Sequence, residues 1–284
     1  MIVVDGDRCN LCKECVSICH TRCMYIRGGE LHIDYSLCST CCQCIAVCPQ
    51  GALSWNGVEP EELKDLETAD YEQLMGLLRA RRTTRRFKDR PVERDKLQKL
   101  CRTVKLAPTN IYDLEVLIVE DRATIEELGK IGRRGIERMY WLLYRNPLGF
   151  DLLRRFKRLS GAVNYIDRRK VFNSIESGST NLHGAPVLII LTGDPWIGFA
   201  RISAHYALYN MILTAQTLGL GSCISGNSTI FFGRSRRVRE MLGIPAPRTI
   251  LAVLEVGYPA VRFRRSVEGN HAQVYWIEGA GPCV

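Results

Sequence analysis

Cys9-Asn10-Leu11-Cys12-Lys13-Glu14-Cys15-Val16-Ser17-Ile18-Cys19 and Cys38-Ser39-Thr40-Cys41-Cys42-Gln43-Cys44-Ile45-Ala46-Val47-Cys48-Pro49 are two copies of one pattern. Each reads C-x2-C-x2-C-x3-C, and the copies stand 29 residues apart, an offset that also aligns Val4-Asp5 with Ile33-Asp34. Ten of the 13 cysteines fall between Cys9 and Cys48; only Cys101, Cys223 and Cys283 lie beyond. The cysteines begin within nine residues of Met1, too soon for a secretory leader, so such crowding points to metal rather than disulfides. Structural zinc commonly uses two separated C-x2-C pairs. A run of four closely spaced thiolates in each copy suits an iron–sulfur cubane better.

Three residues of this segment break the repeat. His20 stands where the second copy has Pro49, and is a candidate hydrogen-bond partner for a cluster sulfur. Cys23 aligns with Ala52 and is read as a small buried filler. Cys42 aligns with Lys13 and receives no role.

Over residues 1–56 the chain resembles the bacterial two-cluster ferredoxins. The resemblance implies two [4Fe-4S] clusters, because the fourth cysteine of each run reaches the neighbouring cluster. Cys9, Cys12, Cys15 and Cys48 would hold the first, and Cys38, Cys41, Cys44 and Cys19 the second.

The whole chain of 284 residues is 46% apolar and 24% charged, enough for a second and larger domain. No apolar run approaches the ~20 residues that span a bilayer. No membrane span is therefore expected, and the redox lability of iron–sulfur clusters suits a reducing cytoplasm. The net charge of +9 would fit a nucleic-acid partner. Residues 1–58 hold four basic and five acidic side chains, however, so the basic excess belongs to the remainder.

Gly57-Val58-Glu59-Pro60-Glu61-Glu62 ends the repeat, and residues 57–70 read as an acidic linker. From 71 to 284 the pattern is that of an α+β domain, a sheet covered by helices. Leu74, Leu77 and Leu78 share a helical face, and Pro91 opens a helix carrying Leu97, Leu100, Cys101, Val104 and Ala107. Glu115–Val119, Val187–Thr192 and Thr249–Val256 read as strands. Phe199 to Leu218 is a long apolar helix stopped at Gly219, and Val238–Leu242 is helical.

Neither G-x-G-x-x-G after a strand nor G-x4-G-K-[ST] occurs, which argues against a Rossmann or P-loop nucleotide site. Arg81-Arg82-Thr83-Thr84-Arg85-Arg86-Phe87 sets two hydroxyls among forked cations, a donor set suited to a phosphate. Ala107-Pro108-Thr109-Asn110, Gly184-Ala185-Pro186-Val187, Leu218-Gly219-Leu220-Gly221-Ser222-Cys223, Leu242-Gly243-Ile244-Pro245 and Gly257-Tyr258-Pro259 follow in that order. Together these motifs resemble the nitroreductase family of FMN enzymes from about Tyr71 to Arg265, here behind an N-terminal ferredoxin-like domain.

The resemblance implies FMN and assigns it partners. Arg81, Arg82, Thr83 and Arg85 would hold the phosphate and ribityl chain, with Arg264 or Arg265 returning to the phosphate. Pro108, Thr109 and Asn110 would lie against the ring, and a loop Cys223-Ile224-Ser225-Gly226 would offer N–H groups to its reactive edge. Tyr112-Asp113-Leu114 departs from the family's N-x-Q-P-W, and Tyr112 becomes the candidate proton donor on the substrate side. Residues 129–183 exceed what a minimal member needs and read as an insert or lid, with eleven basic and three acidic side chains between Arg133 and Lys170. His183 and His205 are read as structural.

The expected activity is electron transfer from an external low-potential donor, through the clusters, to FMN and a small organic acceptor: a nitro group, activated alkene, quinone or halogenated compound. Two alternatives stand beside it. One is a dehydrogenase that exports electrons through the clusters; the other is a carrier or redox sensor without catalysis. Family members are homodimers with FMN at the interface, so the same is expected here. Two clusters and FMN would add about −4 and −2, bringing +9 to roughly +3. Much of the basicity is thereby cofactor complement, and no nucleic-acid partner is expected.

Overall fold

The structure is a computed structural model that describes residues 1–108, 113–148, 155, 172–173, 175–176, 182–267 and 274–276. The cysteine-rich part contains β1 (Ile2–Val4), α1 (Glu14–Ile18), β2 (Met24–Arg27), β3 (Glu30–Ile33), α2 (Gln43–Val47) and β4 (Leu53–Trp55). β1 pairs with β4 and β2 with β3, both antiparallel. The 29-residue offset maps β1 onto β3 and β2 onto β4. Each ladder thus joins the first strand of one copy to the last strand of the other.

The copies also match in backbone conformation. Leu11 and Thr40 have φ of 57° and 54°, and Lys13 and Cys42 have φ of 70° and 57°. Such left-handed residues are uncommon outside glycine. The core here is small: Ile2, Met24, Ile45 and Leu53 close around Cys15, Cys23 and Cys44.

A 3-10 turn at Leu63–Asp65 interrupts the linker. α3 (Tyr71–Ala80) then starts on a capping box in which Asp70 accepts from Gln73 N–H. α4 begins at Arg94, later than Pro91, and ends at Arg102; a 3-10 turn, Thr103–Leu106, continues it. β5 (Glu115–Val119), β6 (Val187–Gly193), β7 (Gly221–Ile224) and β8 (Thr249–Gly257) form one antiparallel sheet in the order β5-β6-β8-β7. α6 (Ala200–Thr217) and α4 cover one face, where Ala204, Ala207, Leu208 and Met211 meet Val187, Ile189, Leu254 and Val256. α5 (Arg122–Tyr140), α7 (Gly226–Arg234) and α8 (Arg236–Met241) cover the other, where Leu128, Phe232 and Val238 meet Leu188, Ile190 and Val253. Every residue of β6 is buried, which is why it reads as an unbroken apolar run.

Residues 129–140 belong to α5, whose cap is Asp121 and whose Gly129, Gly132 and Ile136 are buried. The stretch read as an insert therefore opens inside a core helix. A Cβ on Gly135 would stand 2.5 Å from the Phe231 ring, so α5 and α7 approach closely there. A π turn, Trp141–Arg145, follows α5. Most of 149–181 lies outside the described residues.

Candidate functional site

Exchange of strands between the two copies decides the company of each cysteine. Cys9, Cys12, Cys15 and Cys48 line one cavity with Leu11 and Leu53. Burial pushes the Cys15 thiol up, and the neighbouring Cys48, Cys12 and Cys9 add to the shift. Burial also pushes Cys44 up to about 12, with Cys42, Cys41 and Cys38 as its charged neighbours. Cys19 Sγ lies 3.4 Å from Cys23 Sγ, and Cys23 in turn feels Cys38. Cys19 is thereby placed beside Cys23, near the second copy's Cys38. Against its burial, hydrogen bonds from Thr21 and Cys23 bring Cys19 down to about 7.

Thiols this close cannot ionise together unless a cation compensates them, and iron supplies that compensation. The donor chemistry thus fits the clusters. Thr40 N–H and Ala52 N–H donate to the sulfurs of Cys38 and Cys48 at 3.4 and 3.3 Å. His20 Nε2 lies 3.4 Å from Ser39 Oγ. Cys23 is a buried filler that also bonds Cys19, and Cys42 Sγ donates to Thr40 O.

In the larger domain a cavity of about 730 Å³ opens between the end of α3, the end of α6 and the segment after Pro259. Arg79, Arg82, Lys88, Arg262, Arg264 and Arg265 line it, with no acidic side chain among the described lining residues. After α3 the chain turns extended at Arg81, with φ −63° and ψ 130°. Thr84 N–H donates to Ser222 O at 2.9 Å, and Thr83 bridges Ser222 in parallel, so residues 83–84 run along the outer edge of β7. An extended backbone alternates its sides. Arg82 and Thr84 face the cavity, whereas Arg81, Thr83 and Arg85 are not among its walls. The Arg82 guanidinium donates to Arg81 O and Val267 O, each at 2.9 Å, which fixes its plane and leaves further N–H groups for a ligand. This cationic, prearranged donor set fits a flavin phosphate.

The sequence pointed to Arg82, Arg264 and Arg265, and to Thr84 as one of the two hydroxyls among the arginines, but missed Arg79, Lys88 and Arg262. Arg79 was hidden as an ordinary last-turn helix cation. The expected loop at 223–226 is corrected: β7 runs to Ile224 and α7 starts at Gly226. Gly and Ser at its start have poor strand propensity, which concealed β7. Ser225 N–H is taken by Val253 O at 2.9 Å. Alternation along the ladder turns Cys223 N–H toward β8 as well. Ile224 N–H points to the outer edge, and Gly226 N–H, at the first helical position, has no partner within its helix.

Pro108 is exposed after the 3-10 turn. Thr109, Asn110 and Tyr112 lie outside the described residues. Their neighbour Asp113 is anchored: Arg248 Nη1 donates to Asp113 Oδ1 at 2.7 Å, Arg248 Nη2 to Asp113 O at 2.5 Å, and Asp194 N–H to Asp113 Oδ2 at 2.9 Å. Burial opposes ionisation of Asp113, but the Asp194 N–H and the guanidinium prevail and hold the carboxyl below its ordinary range. His205 lies on α6 with Nδ1 bonded to Arg201 O at 2.6 Å, a helix contact as expected of a structural histidine. His183 pairs with Glu255, Nδ1 to Oε2 at 2.8 Å.

Residues 78–258 match the model of the nitroreductase family, and residues 31–54 match the 4Fe-4S binding domain. Comparison with curated proteins finds no match. Among solved structures, a nitroreductase with bound FMN from Desulfitobacterium hafniense DCB-2 superposes with a TM-score of 0.55 at 18% identity, covering 72% of this chain and 97% of that one. A nitroreductase with bound FMN from Bacteroides fragilis NCTC 9343 gives 0.52 at 18% identity, over 71% and 98% of the two chains. Oxidised iodotyrosine deiodinase bound to FMN and 3-iodo-L-tyrosine gives 0.53 at 20% identity, over 72% and 100%. At these identities the likeness is one of fold, and the family match supplies the rest: the chain belongs to the nitroreductase family of oxidoreductases and carries a 4Fe-4S domain ahead of it.

Proposed function

We propose that the chain is an FMN- and iron–sulfur-dependent oxidoreductase. An external low-potential donor would reduce two [4Fe-4S] clusters, and the electrons would leave from FMN to a small organic acceptor such as a nitro, activated-alkene, quinone or halogenated compound. One observation carries the reading: two cysteine repeats of four thiols each share a polypeptide with a cavity whose charged lining residues are all cationic, in a nitroreductase-family domain. When bound, the clusters carry single electrons and the flavin stores a pair for the acceptor.

The chain's own residues would do the following. Cys9, Cys12, Cys15 and Cys48 ligate one cluster, and Cys38, Cys41, Cys44 and Cys19 the other. The Arg81–Arg85 segment binds the phosphate and ribityl chain: Arg82, with Arg264 and Arg265, takes the phosphate in the cavity, and Arg81, Thr83 and Arg85, outside its walls, take the ribityl chain. Pro108, Thr109 and Asn110 border the ring. The N–H groups of Ile224 and Gly226 stabilise charge at its reactive edge, and Tyr112 donates the proton that the reduced acceptor needs.

A homodimer with the flavin at the interface is part of the proposal. Ile202, Tyr206 and Tyr209 recur on one exposed face of α6 while its opposite face is buried in the core. An exposed apolar stripe of this kind marks a surface that a partner covers. A reducing compartment such as the cytoplasm suits the clusters.

Anaerobic purification followed by iron, sulfide and flavin analysis tests the reading. About eight irons and one FMN per chain are expected. Arg81→Ala and Arg82→Ala should each weaken FMN binding roughly 10–100-fold, the loss of a charge-assisted hydrogen bond, with iron unchanged. Zinc in place of iron, or full FMN retention in both variants, would overturn it.

A further inference from the structure

His183, Cys223 and Glu255 meet on the face of the sheet that α5 and α7 cover, away from the eight cluster thiols and outside the cationic cavity. Cys223 and Glu255 are directly opposed in the β7–β8 ladder. Both are buried, Glu255 with no exposure at all. His183 enters from the turn before β6, where its φ of 50° puts a histidine in the left-handed region. One ligand atom from each residue lies within 4.8 Å of the other two.

The cluster is incompletely satisfied as a hydrogen-bonded unit. His183 Nδ1 and Glu255 Oε2 share a proton at 2.8 Å and the Cys223 thiol lies beside the same imidazole, but Glu255 Oε1 is buried without a partner. An orphaned carboxylate oxygen in a strand at the centre of a domain is costly, and native structures rarely carry one without a reason.

We propose that His183, Cys223 and Glu255 bind one divalent ion of the zinc class beneath the β7–β8 ladder. The ligand types decide the class. A thiolate and an imidazole disfavour calcium and magnesium, whereas sulfur, nitrogen and oxygen together suit zinc. Charge agrees: one thiolate and one carboxylate neutralise a divalent cation, so the loaded site can stay buried without net charge. The ion takes the place of the proton shared by His183 and Glu255, and Glu255 Oε1 gains a partner by bidentate ligation. Zinc with bonds of about 2.0–2.3 Å holds its ligands about 3.5 Å apart, so His183 Nδ1 and Glu255 Oε2, now 2.8 Å apart, open slightly to admit it while Cys223 closes in and loses its thiol proton to solvent. Cys223 lies two residues before Ser225, where β7 gives way to α7, so the ion fastens the entry of β6 to the strand end that borders the proposed ring site.

The test uses the full chain, reconstituted anaerobically with iron, sulfide and FMN, then exposed to zinc ion alone and desalted. Elemental analysis should find about one zinc per chain. Zinc-edge X-ray absorption should show one sulfur near 2.3 Å with nitrogen and oxygen near 2.0–2.1 Å. Cys223→Ser, His183→Asn and Glu255→Gln should each weaken zinc retention at least tenfold at unchanged iron content. Less than a tenth of a zinc per wild-type chain overturns the proposal, as does a shell of four sulfurs, which marks zinc in a cluster site. Equal zinc in wild type and all three variants overturns it too. The wild-type absorption spectrum decides even where a variant fails to fold.

Discussion

Gly221→Ala should injure the fold and the proposed flavin site together. Gly221 opens β7 beneath the cavity. A Cβ there would lie 2.4 Å from Thr84 Oγ1, 2.7 Å from Thr84 Cβ and 2.8 Å from Thr84 Cγ2. Ordinary contacts need about 3.5 Å, so Thr84 must retreat by about an ångström. Thr84 is only 2% exposed, and its N–H is committed to Ser222 O at 2.9 Å, so it cannot move without surrendering that bond. Overpacking of this kind costs about 1–3 kcal/mol, and the hydrogen bond about 1 more. For a domain of this size the sum, about 3 kcal/mol, lowers the melting midpoint by roughly 6–12 °C. The same displacement drags Arg82, so FMN should leave more readily. Thermal release of flavin fluorescence from anaerobic holoprotein reads both effects. Thr84→Ala on its own leaves a small void, but combined with Gly221→Ala it relieves the Oγ1 and Cγ2 clashes. The double variant should therefore lose less than the sum of the singles. A midpoint within 1 °C of wild type for Gly221→Ala, or strict additivity, would refute the reasoning.

Three further outcomes are expected. Arg248→Met strands Asp113 and should cost about 2–3 kcal/mol in urea unfolding, somewhat below a fully buried pair; an unchanged midpoint would show that the Asp194 N–H suffices. Because the Asp113 carboxyl is held below its unfolded range, its contribution is present above about pH 4 and fades as pH falls through the folded value. Asp113→Asn should accordingly flatten the acid limb of domain stability, and an unaltered limb would deny Asp113 that role. Stripping the iron should unfold residues 1–56, whose core has few buried side chains other than cysteine. Limited proteolysis would then cut within that segment while the family-matched part resists, and equal resistance of both parts would contradict this.

The cysteine repeat was fully legible because its spacing is fixed in the local sequence. The matched left-handed pairs Leu11/Thr40 and Lys13/Cys42 and the strand exchange were not legible, since neither leaves a side-chain pattern. In the larger domain the buried strands β6 and β8 announced themselves through continuous apolar runs, and α6 through its length. β7 did not: four residues rich in Gly and Ser carry little pattern, and their place is fixed by β8 and by Thr84. Arg79 and Arg262 join the cavity only through tertiary proximity, which no local spacing encodes. The pairing of His183 with Glu255 was equally hidden, since the two are 72 residues apart and meet only when β8 is inserted beside β6 and β7.

Anaerobic freeze-quench after mixing oxidised holoprotein with one reducing equivalent of a low-potential donor follows metal and flavin signals in the same sample. Cluster reduction should appear first and decay as the flavin absorbance at about 450 nm bleaches, within the time of one turnover. A reduced cluster signal that persists beside an unbleached flavin would contradict electron passage between the two parts of the chain.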